Sequence, residues 1–219
     1  MNIARSELIT PGSLAPDARQ RLIDDLYRVH VDAFDGVTCE EFAAQVVLPG
    51  AAGNTILVHR NTADQIVGYL ALREYHRTLN GRACVVLRGE AGLLRAYHGD
   101  EAPPVLDPAS AARLALREPR RPLFLLACPV HPAMYSQWAR SLRPVWPSRE
   151  HPPDDAIRAL MAGLADSLGL ARVGDDPLVR RVGWIPRDSA DERAFWRRCT
   201  RPEVRFYVEA NPDYEAGHG

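Results

Sequence analysis

Apolar positions near the start of the chain recur at helical spacing. Leu22, Ile23, Leu26, Tyr27, His30, Ala33 and Phe34 form one stripe behind Pro16, which predicts a helix over 17–34. A capping box, Thr38-x-x-Glu41, opens a second helix that must stop before Pro49. The period then changes from helical to extended. NTILVHR (54–60) and QIVGYLALR (65–73) read as two strands around a turn at 61–64. Asn80-Gly81 marks the next turn, and a third extended run follows over 82–95. Gly89 and Gly92 within that run predict a bulge or a close approach of the backbone to another group.

Beyond Tyr97 comes an acidic, proline-rich loop, HGDEAPPVLDP. Asp107-Pro108 then starts a helix that ends at Pro119. PLFLLAC (122–128) is the most apolar run in the chain and is expected to be a central strand, parallel to its neighbour. His131-Pro132 opens a helix carrying Tyr135, Trp138, Ala139 and Leu142 on one face. PVWPSREHPP (144–153) reads as a linker, with Trp146 suggesting that it packs against the body. An amphipathic helix over 154–168, closed by Gly169, and a helix capped by Ser189-x-x-Glu192 follow. VRFYV (204–208) reads as a last strand, and the tail around His218 as frayed.

Composition narrows the classes of function. The 219 residues carry 46% hydrophobic and 25% charged side chains, as an ordinary globule does. A net charge of -1 offers no global field for nucleic acid or anionic membrane. All 27 basic residues are arginine, which excludes a lysine Schiff base or a Walker-type lysine. Cys39, Cys84, Cys128 and Cys199 lack metal-ligand spacing and are expected as buried free thiols. No metal is expected. The segment from Met1 to Leu14 has no signal-peptide pattern and no apolar run is long enough to span a bilayer, so a cytoplasmic protein is expected.

The order helix, helix, three meander strands, helix, apolar strand, helix over about Ala15 to Leu142 resembles the GNAT-type N-acyltransferase superfamily. The resemblance implies an α/β (α+β) fold: a mixed, mostly antiparallel, twisted sheet flanked by helices. It implies one domain over 1–219, with the core at about 15–142 and a C-terminal helical and strand elaboration at about 143–219. The bulge signal at Gly89 and Gly92, together with the loop and helix that follow, predicts that the 82–95 and 122–128 strands are neighbours that splay apart at their C-terminal ends.

In that superfamily the fourth strand ends in a stretch similar to Leu93-Leu94-Arg95-Ala96-Tyr97-His98-Gly99. It runs on into Arg/Gln-x-x-Gly-x-Gly/Ala, whose N–H groups cradle the coenzyme A diphosphate. Leu93, Leu94, Arg95, His98 and Gly99 are therefore the expected cofactor-binding residues. Here His98 stands where Arg or Gln is expected, and Glu101 and Pro103 replace the small residues. Three readings stay open. The chain takes acyl-CoA or acetyl-CoA as co-substrate by another loop path, with Arg95, Arg120 or Arg121 supplying charge. Alternatively the acyl group comes from an acyl carrier protein's phosphopantetheine arm. The third is a non-catalytic ligand-binding or protein-interaction module.

Acyl transfer to a small amine or similar nucleophile needs a base, N–H donors for the oxyanion and an acid for the thiolate. The resemblance puts the donors near Leu93 and Leu94 and the acid at Tyr135. Glu90, alone in an apolar strand, is the candidate base, and His131 lies where α/β sheets present ligands. Glu90, His131 and Tyr135 are expected to line one cleft. Ser136 and Cys128 lack the surroundings of a nucleophile.

Overall fold

The computed structural model describes residues 2–48, 53–79, 81–98, 120–142 and 144–219. The helix expected at 108–118 lies outside them. The chain divides into two compact units, 1–33 with 37–127, and 34–36 with 128–219. The boundary therefore falls between Ala127 and Cys128, earlier than the 142/143 division expected, and the helix after His131 goes with the second unit.

In the first unit, β1 (Arg5–Ile9) is followed by α1 (Pro16–Ala33); β2 (Phe34–Asp35) belongs to the second unit. Next come α2 (Cys39–Phe42), with a π-turn over Ala43–Val47, β3 (Gly53–Arg60), β4 (Ile66–Leu79), β5 (Arg82–Leu93) and β6 (Leu123–Leu126). The sheet order is β1-β3-β4-β5-β6. Every pair is antiparallel except β5–β6, which is parallel from Val85↔Leu123 to Arg88↔Leu126. The parallel pairing expected for the apolar run is present, but β6 ends the described sheet order and is not central. Strand β1 was not legible, because RSELI is short, half polar and only one edge deep.

The Thr38 box forms as read: the hydroxyl accepts from Glu41 N–H while the Glu41 carboxylate accepts from Thr38 N–H. Leu22, Leu26 and Val29 recur one turn apart on α1 and are buried together with His30. The rings of His30, Phe42 and Tyr69 step from the helices onto the sheet, with centroids 4.9 and 5.9 Å apart.

No bulge interrupts β5. Its ladder with β4 runs without a register shift from Leu79↔Arg82 to Gly68↔Leu93. The second reading of the glycines holds instead: a Cβ on Gly92 would lie 2.6 Å from the Tyr69 ring. Gly92 is required because Tyr69, its cross-strand partner, lays its ring across that position.

The second unit contains α3 (Pro132–Ser141), α4 (Asp155–Ser167), β7 (Ile185–Pro186), α5 (Ala190–Arg198) and α6 (Pro202–Ala210), with β7 pairing β2. Helix α6 replaces the strand expected at 204–208. Val204 and Tyr207 are its buried residues, a one-turn spacing, and Pro202 starts the helix, so tertiary packing overrides the β propensity of VRFYV. Tyr135 of α3 stacks on Phe206 and Tyr207 at 5.8 and 5.4 Å. The tail is held, not frayed: Gly219 exchanges both backbone hydrogen bonds with Arg180. Arg180, 1% exposed, also donates to Asp166 and to the Leu170 and Ala162 carbonyls. Trp146 is 39% exposed, against the packing expected of it, and only Cys84 of the four free cysteines is fully buried.

Two outcomes follow from this packing. Gly92→Ala must displace the Tyr69 ring and should cost ~1–3 kcal/mol in urea unfolding. Gly89→Ala, whose Cβ would meet Leu125 at 3.6 Å and Leu72 at 3.8 Å in ordinary contact, should cost less than Gly92→Ala; equal costs would contradict the packing described. Arg172 and Arg180 hold the Asp166 carboxyl down to about 2. Its folded pKa lies below its unfolded value of 3.8, so its contribution is present above that value and lost as pH falls through about 2. Asp166→Asn should flatten the melting temperature between pH 4 and 2 relative to the unsubstituted chain.

Candidate functional site

The C-terminal third of β5 is where the sheet opens. Pairing with β6 stops at Arg88↔Leu126, while among the described residues β5 runs on to Leu93 against β4 alone. Backbone direction follows from two hydrogen bonds. Val85 N–H donates to Pro122 O on the β6 side, and Leu94 N–H donates to Val67 O on the β4 side. With no bulge between them, odd-numbered amides of β5 face β6. Ala91 and Leu93 therefore turn their N–H groups toward the side that β6 has left. Leu94, expected beside Leu93 as an oxyanion donor, is excluded because its N–H is held in the sheet.

The turn after β5 is closed on itself. Arg95 N–H donates to the Asp32 carboxylate at 2.6 Å, Tyr97 N–H to Leu94 O, and His98 N–H to Arg95 O. The His98 ring lies 3.0 Å from Leu93 O through Nε2. A carbonyl only accepts, so Nε2 carries the proton. Gly99 lies outside the described residues. Arg121 donates to His76 Nδ1 at 3.1 Å and precedes the first β5–β6 pair, roughly 26 Å along β5 from Leu93 at ~3.3 Å per residue. Neither it nor Arg120 beside it is placed to charge the turn at 95–98.

Tyr69 and Arg73 of β4 share a face with Arg88 and Glu90 of β5, since Arg73 opposes Arg88 and Tyr69 opposes Gly92. The Glu90 side chain does not face solvent. Its Oε1 accepts from Arg73 and, at 3.4 Å, from Arg88 Nε, with the three side chains 9, 10 and 5% exposed. Among the described residues Glu90 Oε2, Arg73 Nε and Tyr69 OH are buried without a hydrogen-bond partner. Burial first, and then the Glu90 charge, hold the Tyr69 phenol well above its ordinary pKa.

His131 and Tyr135 belong to the second unit. His131 caps α3: Nδ1 accepts from Ala133 N–H at 3.2 Å, which leaves the proton on Nε2, 3.0 Å from Asp188. Trp196 and Tyr214 meet its ring edge-on. Both nitrogens are engaged. Tyr135 donates to Pro147 O at 2.9 Å, and burial followed by the Glu203 charge raises its pKa. It lines a cleft of about 230 Å³ with Arg140, Ser148, Arg149, His151 and Glu203, and His131 is not part of that lining.

Sequence reasoning passed over Asp32, Tyr69, Arg73 and Asp188. Asp32 carried a signal: an acid in the last turn of a helix opposes the macrodipole and is there for another partner. Tyr69 and Arg73 are four residues apart in a strand and so share a face, but nothing in the sequence placed Glu90 opposite them. Among the described residues no group of three or more His, Cys, Asp or Glu could hold a metal ion, and no described helix is long and apolar enough to cross a membrane.

No protein-family model and no curated protein matches the sequence. Among solved structures the chain is similar to a ribosomal-protein-alanine N-acetyltransferase from Brucella melitensis biovar Abortus 2308. That match has 14% identity and a TM-score of 0.44, covering 66% of this chain and 95% of that one. It is also similar to a Pyrococcus furiosus protein assigned provisionally as an acetyl transferase, at 11% identity and a TM-score of 0.40, covering 68% and 100%. A tetramutant of the BH1408 protein from Bacillus halodurans gives 13% and 0.32, covering 78% and 96%. Among the described strands the chain's own sheet is mixed and mostly antiparallel, with a single parallel step at β5–β6.

The Arg73–Glu90–Arg88 arrangement makes a stability prediction. Glu90→Ala removes the carboxylate from two buried guanidinium groups and should cost ~3–5 kcal/mol in urea unfolding. Glu90→Gln keeps an acceptor oxygen and should cost less. A loss under ~1 kcal/mol for Glu90→Ala would show that the pair contributes nothing to the fold.

Proposed function

We propose that the chain is a GNAT-type acyltransferase that moves an acyl group from a thioester to a small amine or similar nucleophile. One observation carries this reading. β5 outruns β6 by Gly89–Leu93, so Ala91 and Leu93 offer backbone donors along an opened strand edge. A thioester lying along that edge meets Leu93 N–H with its carbonyl oxygen. The nucleophile's nitrogen then bonds to the carbonyl carbon, and the tetrahedral oxyanion collapses as the C–S bond breaks. The ammonium proton passes to a base and the thiolate is protonated. Glu90 Oε2, which holds no hydrogen bond, is the proton acceptor proposed within this unit.

The rival reading, a non-catalytic binding module, is favoured by the self-satisfied turn at 95–98, and one substitution separates the two. Leu93 N–H lies outside the β4 ladder, so Leu93→Pro removes the donor at an edge that tolerates proline. Circular dichroism should show an unchanged fold, while acyl transfer falls by about 10²–10³. Transfer unaffected by Leu93→Pro would remove the oxyanion assignment. Absence of both transfer and thermal stabilisation with acyl-CoA, S-acyl-pantetheine and an acyl carrier protein would leave the binding module.

A further inference from the structure

We infer that the cleft of the second unit binds a small zwitterion of the amino-acid class, with a cationic amine at one end and a carboxylate at the other. The cleft lies wholly within that unit, and the inference does not rest on the acyltransferase reading. Its volume of about 230 Å³ falls below the ~300–1,000 Å³ usual for drug-sized ligands. At ~30 Å³ for each water-sized group it has room for roughly seven or eight. That suits a molecule of amino-acid size and is too small for a nucleotide.

Two segments of different make line the cleft. Arg140 of α3 and Glu203 of α6 stand on one side; Ser148, Arg149, Glu150 and His151 of the connecting loop stand on the other. Two arginines and two glutamates cancel, so the lining is neutral as a whole and charged in its parts. A free anion such as phosphate would meet both carboxylates, and a simple amine both guanidinium groups. A ligand that is neutral overall and carries one charge at each end fits the same arrangement better.

Glu203 is the amine end of the site. It lies in the first turn of α6, where the helix dipole favours a negative charge, and its side chain is 20% exposed. Its Oε1 accepts from the Ser136 hydroxyl at 3.1 Å, while Arg140 Nε stands off at 3.6 Å. Arg140 is 61% exposed at its side chain, so that pair contributes little. Among the described residues Glu203 Oε2 has no hydrogen-bond partner, and an ammonium can donate to it. Glu150 is exposed, and water weakens its attraction for the same group. The carboxylate end belongs to the loop. Ser148 is 8% exposed, and its oxygen accepts from His151 N–H at 3.0 Å, which leaves its own O–H to donate. Arg149 follows it, exposed and without an ion pair among the described residues. Hydroxyl and guanidinium together offer a carboxylate one neutral and one charged donor. Ser148 N–H also donates to His151 O at 3.2 Å, so the turn is closed in both directions and holds its donors in place before a ligand arrives.

The test titrates the intact chain with glycine, β-alanine, γ-aminobutyrate and ε-aminocaproate, by calorimetry and by backbone amide NMR. Butylamine, butyrate and inorganic phosphate are the single-charge controls. The expected result is saturable binding of at least one zwitterion, with shifts at the Ser148, Arg149 and Glu203 amides. A charge-assisted hydrogen bond at each end is worth about tenfold or more in affinity, so butylamine and butyrate should each bind at least that much more weakly. Two variants tell the ends apart. Arg149→Gln alters an exposed side chain, keeps the melting temperature, and should weaken the best zwitterion about tenfold. Glu203→Gln retains an oxygen for Ser136 and should weaken it by a similar factor. A zwitterion bound as tightly by Arg149→Gln as by the parent chain would overturn the inference. Phosphate or butyrate binding more tightly than every zwitterion would make the cleft an anion site and overturn it too. Saturable binding of none of the four zwitterions would end it outright.

Discussion

The unbroken ladder between β4 and β5 is the constraint on which the rest of the first unit depends. Because twelve consecutive register pairs run from Leu79↔Arg82 to Gly68↔Leu93, each residue of β5 has a fixed face and each amide a fixed side. A bulge at Gly89 or Gly92 would have reversed that parity. Either would have turned Leu93 N–H into the sheet and Leu94 N–H out, and a bulge at Gly89 would also have moved Glu90 to the face away from Tyr69. The glycines therefore matter by leaving the strand regular. Gly92 admits the Tyr69 ring, and the ring in turn joins α1 and α2 to the sheet through Phe42 and His30.

That regularity gathers polar groups where an apolar core would be simpler. Arg73, Arg88 and Glu90 are all at most 10% exposed at their side chains, and buried charges of this kind are costly unless each is matched. The matching is incomplete at Glu90 Oε2, Arg73 Nε and Tyr69 OH. An acceptor, a donor and a hydroxyl left over on one sheet face are complementary to one another in kind. Such a set raises the free energy of the folded state unless another group meets it.

Much of the scaffold was legible because local signals and burial agreed. The Thr38 and Ser189 boxes, the α1 stripe, the meander and the parallel apolar run all formed as read. The failures share a cause. VRFYV has strand propensity, but Pro202 and the burial of Val204 and Tyr207 one turn apart make it helical. His131 reads as chemistry in a sequence, and its ring instead caps α3 and pairs with Asp188. Glu90 was visible as an anomaly in an apolar strand, yet its meaning depends on Arg73, which only strand register brings diagonally across on the same face. Long-range partners have no local signature, and the site is made of them.

Asp32 shows how one such partner trades affinity for order. The three residues of the turn Arg95–Tyr97 form too short a helix to hold themselves, and a carboxylate on the first N–H steadies them. The same hydrogen bond removes the donor that a phosphate would have sought. A turn of this length cannot do both, because each N–H donates once. A chain that orders this turn from within spends the Arg95, Tyr97 and His98 donors on itself. It keeps what the turn positions, which is the end of β5 and the backbone donors along its open side.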